Sequence, residues 1–186
     1  MKKLKLSDVR KEFRFTINKN STLDGHDLVN KKHPLVMDYD VWLPSIGVEL
    51  QRLLCWSLTQ KQEFILSILK NTPIPKVSIV THKYNNGDKV HQVIDGKQRI
   101  TTYISFMRGE FSLATGHFYD DLGTDCMYVM NSFYFHADIA FSYYDAAISD
   151  EYKISWFRQV NFTGTDQDIN HINKLTSRLD NLLLDK

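Results

Sequence analysis

The chain has 186 residues, 42% of them hydrophobic, which is enough for one well-buried domain and short for two. Lys and Arg total 23 against 22 for Asp and Glu, so the net charge of +1 excludes a global basic field directed at nucleic acid or acidic membrane. No apolar run approaches the ~20 residues of a membrane span, and no signal core follows the amino end. We therefore expect a cytoplasmic protein with no membrane partner.

The composition predicts a single domain over residues 1–186. Residues 18–40 are rich in Asn, Asp, Gly, His and Lys, which indicates a surface excursion with little core of its own. Residues 148–186 form a predicted C-terminal helical part. The two cysteines, Cys55 and Cys126, lack a C-x-x-C partner and are predicted to be reduced, buried thiols.

The first elements along the chain are a short strand over 13–17 and, after the excursion, a helix over 59–70. The helix prediction rests on Thr59-Gln60-Lys61-Gln62, which matches a capping box, and on apolar residues at helical spacing behind it. Pro73 and Pro75 end this helix because neither can donate a backbone N–H.

A β-hairpin follows. Residues 76–84 have the β-branched enrichment of a strand, and Asn86-Gly87 is a strong turn signal before a return strand that reaches Asp95. With a two-residue turn, His82 would face His91, which raises the question of a metal site. No third ligand is evident at a suitable spacing, so an exposed hairpin is the favoured interpretation.

Helices and one aromatic segment complete the predicted elements. A helix runs from Lys97 to Gly109, and the aromatic-rich stretch over 110–147 favours short strands such as 133–141. This aromatic density indicates core or sheet packing rather than base stacking. Ser149 caps a helix through Val160, a break covers 161–164, and Thr165 caps a last amphipathic helix.

The junction between the returning strand and the next helix is the most informative feature. The strand leads through Asp95-Gly96 into a helix that opens with Lys97, Gln98 and Arg99. A helix N-terminus carries unpaired N–H groups and partial positive charge, so two cations placed there favour the binding of an anion such as phosphate. Asp95 could orient Arg99, hold Mg²⁺ or position water. The alternative is a capping Asp95 with solvated cations.

Four segments in order resemble the N-terminal domain of GmrSD-type restriction proteins, whose hallmark is Asp-Gly-Gln-Gln-Arg. They are Gln51-Arg52 with Trp56, KQEFILSILKNTPIPKVSIV, VIDGKQRITTYISF and WFRQVNFTGTDQDINHINKL. The resemblance implies an α/β (mixed α+β) domain of the ParB/sulfiredoxin-like type, a small mixed sheet flanked by helices, whose equivalent junction binds nucleotide phosphate. Such proteins couple nucleoside triphosphate binding or hydrolysis to recognition or cleavage of modified phage DNA.

The resemblance also implies a set of site residues. Asp95, Gln98 and Arg99 are the predicted catalytic residues, and Asp95 is the predicted ligand of Mg²⁺. The predicted nucleotide-binding residues are Gln51, Arg52, Gly96, Lys97, Arg99 and Asn161.

Two departures from the family pattern bear on activity. Lys97 stands where the hallmark has Gln, which could strengthen phosphate binding or mark a site that binds without turnover. The chain also leaves no room for a His-Asn-His nuclease domain. We therefore expect a stand-alone nucleotide-binding module, a phage-encoded relative, or half of a system with a separate nuclease subunit.

Three functions remain open at this point. The first is a nucleotide-binding domain, with or without hydrolysis, in phage–host conflict over DNA. The second is a DNA-binding or partner-binding module in which the basic turn holds a DNA phosphate without turnover. The third is a metal-dependent nuclease that uses Asp95, for which one acidic residue is fewer than the usual metal cluster.

Overall fold

A computed structural model describes residues 17–30, 32, 35–51, 53–144, 146–162 and 177–178. Its helices and strands are interspersed along the chain. In order they are β1 (Ile17–Asp24), α1 (Gly25–Val29), β2 (Met37–Asp38), β3 (Trp42–Leu43), β4 (Val48–Glu49), α2 (Leu58–Leu69), β5 (Val77–Lys83), β6 (Lys89–Asp95), α3 (Lys97–Met107), a 3₁₀ turn (Tyr119–Asp121), α4 (Thr124–Asn131), β7 (Tyr134–Tyr143) and α5 (Asp150–Phe162).

The main sheet has five strands in the order β1-β7-β5-β6-β2. The β1–β7 and β5–β6 pairs are antiparallel, whereas β5–β7 and β2–β6 are parallel. The short β3 and β4 form a separate antiparallel pair. The predicted class, a mixed sheet flanked by helices, is confirmed. The ParB/sulfiredoxin-like assignment stays a prediction.

Both faces of the sheet are covered, because successive side chains of a strand point to opposite sides. Ile79 and Val93 belong to a core that α2, α3 and α4 complete with residues such as Ile65, Tyr103 and Met130. Their neighbours Val80 and Ile94 belong to a second core, completed by the β3–β4 pair and by α5. Cores on both faces of the sheet explain why β5 is buried without interruption from Val77 to Thr81.

The start of α2 differs from the prediction by two residues. The N-cap is Ser57, whose Oγ accepts from the N–H of Gln60 at 3.3 Å, while the Gln60 Oε1 accepts from the N–H of Ser57 at 2.9 Å. Ser57 is extended and forms this reciprocal capping box, so Thr59 lies inside the first turn. The sequence contains two overlapping matches to a capping box, one from Ser57 and one from Thr59, and the prediction chose the second.

The hairpin register also differs from the prediction. The loop is longer than two residues: the N–H of Tyr84 donates to the carbonyl of Asp88, and Lys83 pairs with Lys89. Thr81, not His82, therefore faces His91, and the two histidines lie on opposite faces of the hairpin. The interpretation of these histidines as a metal pair is thereby excluded.

The predicted surface excursion over 18–40 is wrong for its first part. Residues up to Asp24 continue β1, an edge strand of the main sheet, and both Leu23 and Leu28 are buried in the first core. The polar composition reflects the exposed face of an edge strand, not a loop. Of the strand predicted over 13–17, only Ile17 is described, and it lies in β1.

The later elements follow the predictions with three differences. The strand predicted over 133–141 is observed as β7, Tyr134–Tyr143, but α4 before it was not predicted. Helix α5 begins after Ser149 as predicted and continues to Phe162, which includes the first two residues of the break predicted over 161–164; the other two lie outside the described residues. Cys55 is free but exposed rather than buried. The helix predicted from Thr165 lies almost wholly outside the described residues. Among the described helices, none has the length and apolarity to cross a membrane.

Candidate functional site

The β6–α3 junction is built around Gly96. This residue is the N-cap of α3 with a φ of 106°, a conformation that glycine adopts without strain. A Cβ at this position would lie 2.5 Å from Cγ1 of Val77 on β5. Both the left-handed conformation and the close approach of β5 therefore require glycine here, independently of any ligand.

The first turn of α3 begins without a side-chain cap, because Gly96 has no side chain to accept from it. The first intrahelical bond runs from the N–H of Ile100 to the carbonyl of Gly96. The amides of Lys97, Gln98 and Arg99 have no acceptor among the described residues. They form the positive end of the helix dipole.

Lys97 is nearly buried, with 6% of its side chain exposed, and its Nζ forms an ion pair with Oδ1 of Asp40. Asp40 is itself 63% exposed, so it approaches the lysine from the solvent side. The interpretation of Lys97 as a solvated first-turn residue is therefore wrong. Its ammonium is held at the junction and is covered by one exposed carboxylate.

Arg99 points to the other side of the junction and is also paired. Its Nη2 donates to Oδ2 of Asp95 at 2.6 Å and to the carbonyl of Lys76 at 3.1 Å. Asp95 therefore orients Arg99, which is one of the roles predicted for it. The Nε of Arg99 is buried and has no hydrogen-bond partner among the described residues. Asp40 and Asp95 thus supply negative charge opposite the two cations.

Gln98, a predicted catalytic residue, holds the loop before α2. Its Oε1 accepts from the N–H groups of Cys55 at 3.2 Å and Trp56 at 3.3 Å, and its Nε2 donates to the carbonyl of Leu53 at 3.1 Å. The same helix turn that carries the cations therefore fixes the loop that follows Gln51-Arg52. The structure brings these two motif segments together.

Gln51 reaches the junction through the end of β6. Its Nε2 donates to the carbonyl of Val93 at 3.0 Å and to that of Ile94. The parallel strand β2 pairs with β6 only as far as Gln92, and the β5–β6 register shifts just after Val93. Gln51 therefore satisfies carbonyls that lie beyond the β2 pairing. Arg52, its partner in the motif, lies outside the described residues.

Asn161, the last predicted nucleotide-binding residue, is buried in the final turn of α5. Its Nδ2 donates to the carbonyl of Phe157 at 2.7 Å, one turn back. Helix α5 packs on β6 through Ile94 and Ile154 in the second core. No described contact joins Asn161 to the cations of the junction.

Two groups near the junction were missed by the sequence reasoning. Asp38 accepts from the N–H of Asp40 at 3.2 Å and from Nε2 of Gln92 at 3.1 Å. Lys153 on α5 is buried, and its Nζ lies 3.8 Å from Oδ1 of Asp150. Burial lowers the pKa of Lys153, while Asp150 and Asp38 act in the opposite direction. Asp38 and Asp40 lie inside the segment 18–40, which had been predicted as a surface excursion.

The carboxylates do not form a metal cage by themselves. Within the described part of the chain, no group of three or more His, Cys, Asp or Glu residues is arranged to hold a metal ion. A nucleotide-bound Mg²⁺ needs only one or two protein carboxylates, because phosphates and water supply the other ligands. Asp40 and Asp95 could supply such a carboxylate, and each is paired with a cation through one of its two oxygens.

Comparison with known protein families gives a match. Neither the curated proteins nor the solved structures match this chain. A family model described as GmrSD restriction endonuclease, N-terminal domain, matches residues 43–184, which are most of the chain and include the Gln51 segment, the whole β6–α3 junction and Asn161. The chain is therefore a member of the GmrSD restriction endonuclease N-terminal domain family and is related to restriction proteins that act on modified DNA.

Proposed function

We propose that this protein binds a nucleoside triphosphate at the β6–α3 junction. The observation that carries the proposal is the first turn of α3, whose amides have no described acceptor and which begins with a nearly buried Lys97. Free amides at a helix N-terminus beside a positioned cation suit a phosphate group. The family match covers this junction, and the resemblance to GmrSD-type proteins implies nucleotide binding at the equivalent place.

The exposed Asp40 is the group that a phosphate would replace. It covers the Lys97 ammonium from solvent, and its own exposure means that it can move away at little cost. A triphosphate carries several charges and can also accept hydrogen bonds from the free amides of α3. Among the described residues, Asp40 contacts the Lys97 ammonium and not these amides. The ion pair therefore acts as a resting arrangement of the site.

The proposal also includes hydrolysis of the bound triphosphate. Arg99 would stabilise charge on the phosphates, and Asp95 would position water or a magnesium ion that neutralises the phosphate oxygens. Gln98 could take part only if the loop at Leu53 released its amide. We therefore propose binding with slow turnover. A separate nuclease subunit would supply DNA cleavage.

A nucleotide panel measured by isothermal titration calorimetry, with and without Mg²⁺, tests the binding. Asp40→Asn removes the competing carboxylate, so we expect tighter binding, by about threefold to tenfold. Lys97→Met removes the ammonium, so we expect affinity to fall by about tenfold. Lys61→Met is the matched control, because Lys61 lies on α2 over the ring of Phe111 and away from the junction.

Opposite results would reject the site. No heat from any nucleotide with the folded wild-type protein, or equal affinities for Asp40→Asn, Lys97→Met and wild type, would contradict nucleotide binding at the junction. Binding of duplex DNA but not of free nucleotide would instead support the DNA-binding module in which the basic turn holds a DNA phosphate. Plasmid nicking that needs Mg²⁺ or Mn²⁺ and is lost in Asp95→Asn would support the nuclease.

A further inference from the structure

The opposite end of the β5–β6 hairpin carries a second charged and aromatic surface. Strand β6 runs seven residues from Lys89 to Asp95, so this hairpin end lies roughly 20 Å from the α3 junction. Strand β7 ends beside it, because β7 is parallel to β5 and Lys83 pairs with Tyr143. The surface is therefore independent of the proposed nucleotide site.

Two lysines face each other across this end. Lys83 and Lys89 are direct cross-strand partners, so their side chains emerge on the same face of the sheet. Like charges in that arrangement repel and destabilise the pair. Neither lysine forms an ion pair with a carboxylate of the described residues. A bound anion would offset this repulsion.

Aromatic rings hold one of these lysines in place. The Nζ of Lys83 lies 4.7 Å from the ring centroid of Phe141 and 5.3 Å from that of Tyr143. Both rings belong to β7, on the same face as the lysine pair. These cation–π contacts fix the ammonium at the sheet end while leaving it open to solvent.

A hollow of about 770 Å³ adjoins the pair, and Lys89 lines it together with Val36, Tyr84 and Tyr144. Tyr84 is 48% exposed and Tyr144 is 63% exposed. The hollow is large enough for a planar ring system such as a nucleobase. Two exposed tyrosines beside a lysine provide apolar ring faces and a positive charge at the same place.

The Tyr84 ring is held in its exposed position by an ordered chain of contacts. It packs edge-on against His82, with ring centroids 4.5 Å apart. Nδ1 of His82 lies 2.9 Å from Oγ of the buried Ser142, which accepts from the N–H of Ile148 at 3.0 Å. A tyrosine fixed in this way loses little conformational entropy when a ligand stacks on it.

We propose that this hairpin end binds single-stranded nucleic acid, with a backbone phosphate at the Lys83–Lys89 pair and an unstacked base in the hollow between Tyr84 and Tyr144. Phosphate offsets the repulsion of the two lysines, and bases stack on aromatic rings regardless of sequence. A duplex keeps its bases paired and cannot fill the hollow. A second copy of this surface is a poor occupant, because a two-fold contact would bring four lysines together.

Fluorescence anisotropy with a labelled oligothymidylate of about 15 nucleotides, in about 50 mM salt, tests the proposal. We expect the double variant Lys83→Gln/Lys89→Gln to bind more weakly and to lower the slope of log affinity against log salt by about 0.7, the value for the one phosphate contact that it removes. Tyr144→Ala should weaken binding about tenfold with an unchanged salt slope.

Matched controls separate stacking and charge from general effects. Lys61→Gln removes another lysine that lies over an aromatic ring, and Tyr128→Ala removes another exposed tyrosine. Both should bind like wild type, and so should Lys97→Met, which tests the nucleotide site alone. Circular dichroism and a melting curve establish that each variant is folded.

Three results would overturn the proposal. One is no anisotropy change at ~0.1 mM wild-type protein, the weak end of non-specific binding. Another is equal affinity for the oligonucleotide and its duplex, which would leave the hollow without a role. The third is a wild-type dimer in sedimentation that Tyr144→Ala converts to monomer, because this would assign the surface to self-association.

Discussion

Lys97 and Asp40 form an ion pair in which the cation is nearly buried and the carboxylate is mostly exposed. The pair joins the first turn of α3 to the turn after β2, 57 residues away in sequence. Only the lysine depends on its partner for solvation, since the exposed aspartate retains water. This asymmetry predicts how the two residues respond to substitution.

Asp40→Asn should lower the free energy of unfolding by about 1 kcal/mol, because it leaves a buried ammonium with a neutral partner. Lys97→Met in the same chain removes that ammonium and should restore most of the loss. Urea unfolding of both single variants and of the double variant gives the coupling free energy. Additive effects would mean that the ion pair contributes nothing to stability.

Local signals in the sequence predicted much of this fold. The β-branched run after Pro75, the turn signal and the cations after Gly96 predicted β5, β6 and α3 near their observed bounds. These elements depend on neighbouring residues, so their patterns are visible in one chain. The hairpin register was missed because Asn86-Gly87 also fits within a longer loop.

The partners within the site were beyond prediction for a different reason. The contacts of Asp40 with Lys97 and of Gln98 with the loop at Leu53 each cross more than 40 residues of chain. No periodicity or spacing encodes such contacts, which depend on how the sheet and its helices pack. The motif resemblance gave Gln51 and Gln98 as site residues but not their hydrogen bonds.

Gln98→Ala should loosen the loop that follows the Gln51 segment. The substitution removes the acceptor for the N–H groups of Cys55 and Trp56 and the donor to the carbonyl of Leu53, a residue that is 80% exposed and contributes little packing. We expect faster hydrogen exchange at the amides of Cys55 and Trp56 and a loss of about 1–2 kcal/mol in unfolding free energy.

Gln98→Glu provides the control for this prediction. The glutamate keeps an acceptor for the two N–H groups but cannot donate to the carbonyl of Leu53, so exchange at Cys55 and Trp56 should stay closer to wild type. Equal exchange rates in wild type and Gln98→Ala would show that the loop is held by other contacts.

Gly96→Ala should be the most destabilising single-methyl addition in the hairpin region. The new Cβ would meet Val77 at 2.5 Å, and the φ of 106° is strained for alanine. We expect a loss of about 3 kcal/mol, measured by urea unfolding. At Gly87 the φ is 88° but nothing lies within 4 Å, so Gly87→Ala should cost about 1 kcal/mol.

A second variant separates the clash at Gly96 from the backbone strain. Val77→Ala in the Gly96→Ala chain removes the Cγ1 atom at 2.5 Å, keeps the Cβ atom of residue 77 at 2.9 Å, and does not relieve the strained φ. Its effect should therefore be less than the sum of the two single effects. Similar losses for Gly96→Ala and Gly87→Ala would mean that β5 moves aside without resistance.

His91 should make the unfolding free energy depend on pH below neutrality. Burial lowers the pKa of His91 from 6.5, and the charge of Lys89 lowers it further. The unfolded chain therefore binds a proton at higher pH than the folded one. The contribution of neutral His91 to the free energy of unfolding is fully present above pH 6.5 and is lost as the pH falls through the folded pKa. Urea unfolding across this window should show a weaker pH dependence for His91→Gln than for wild type. Lys89→Gln should make the loss smaller and confine it to a narrower range below pH 6.5, because removing that charge raises the folded pKa of His91 toward 6.5. His117→Gln, at an exposed site, should leave the profile of His91 unchanged.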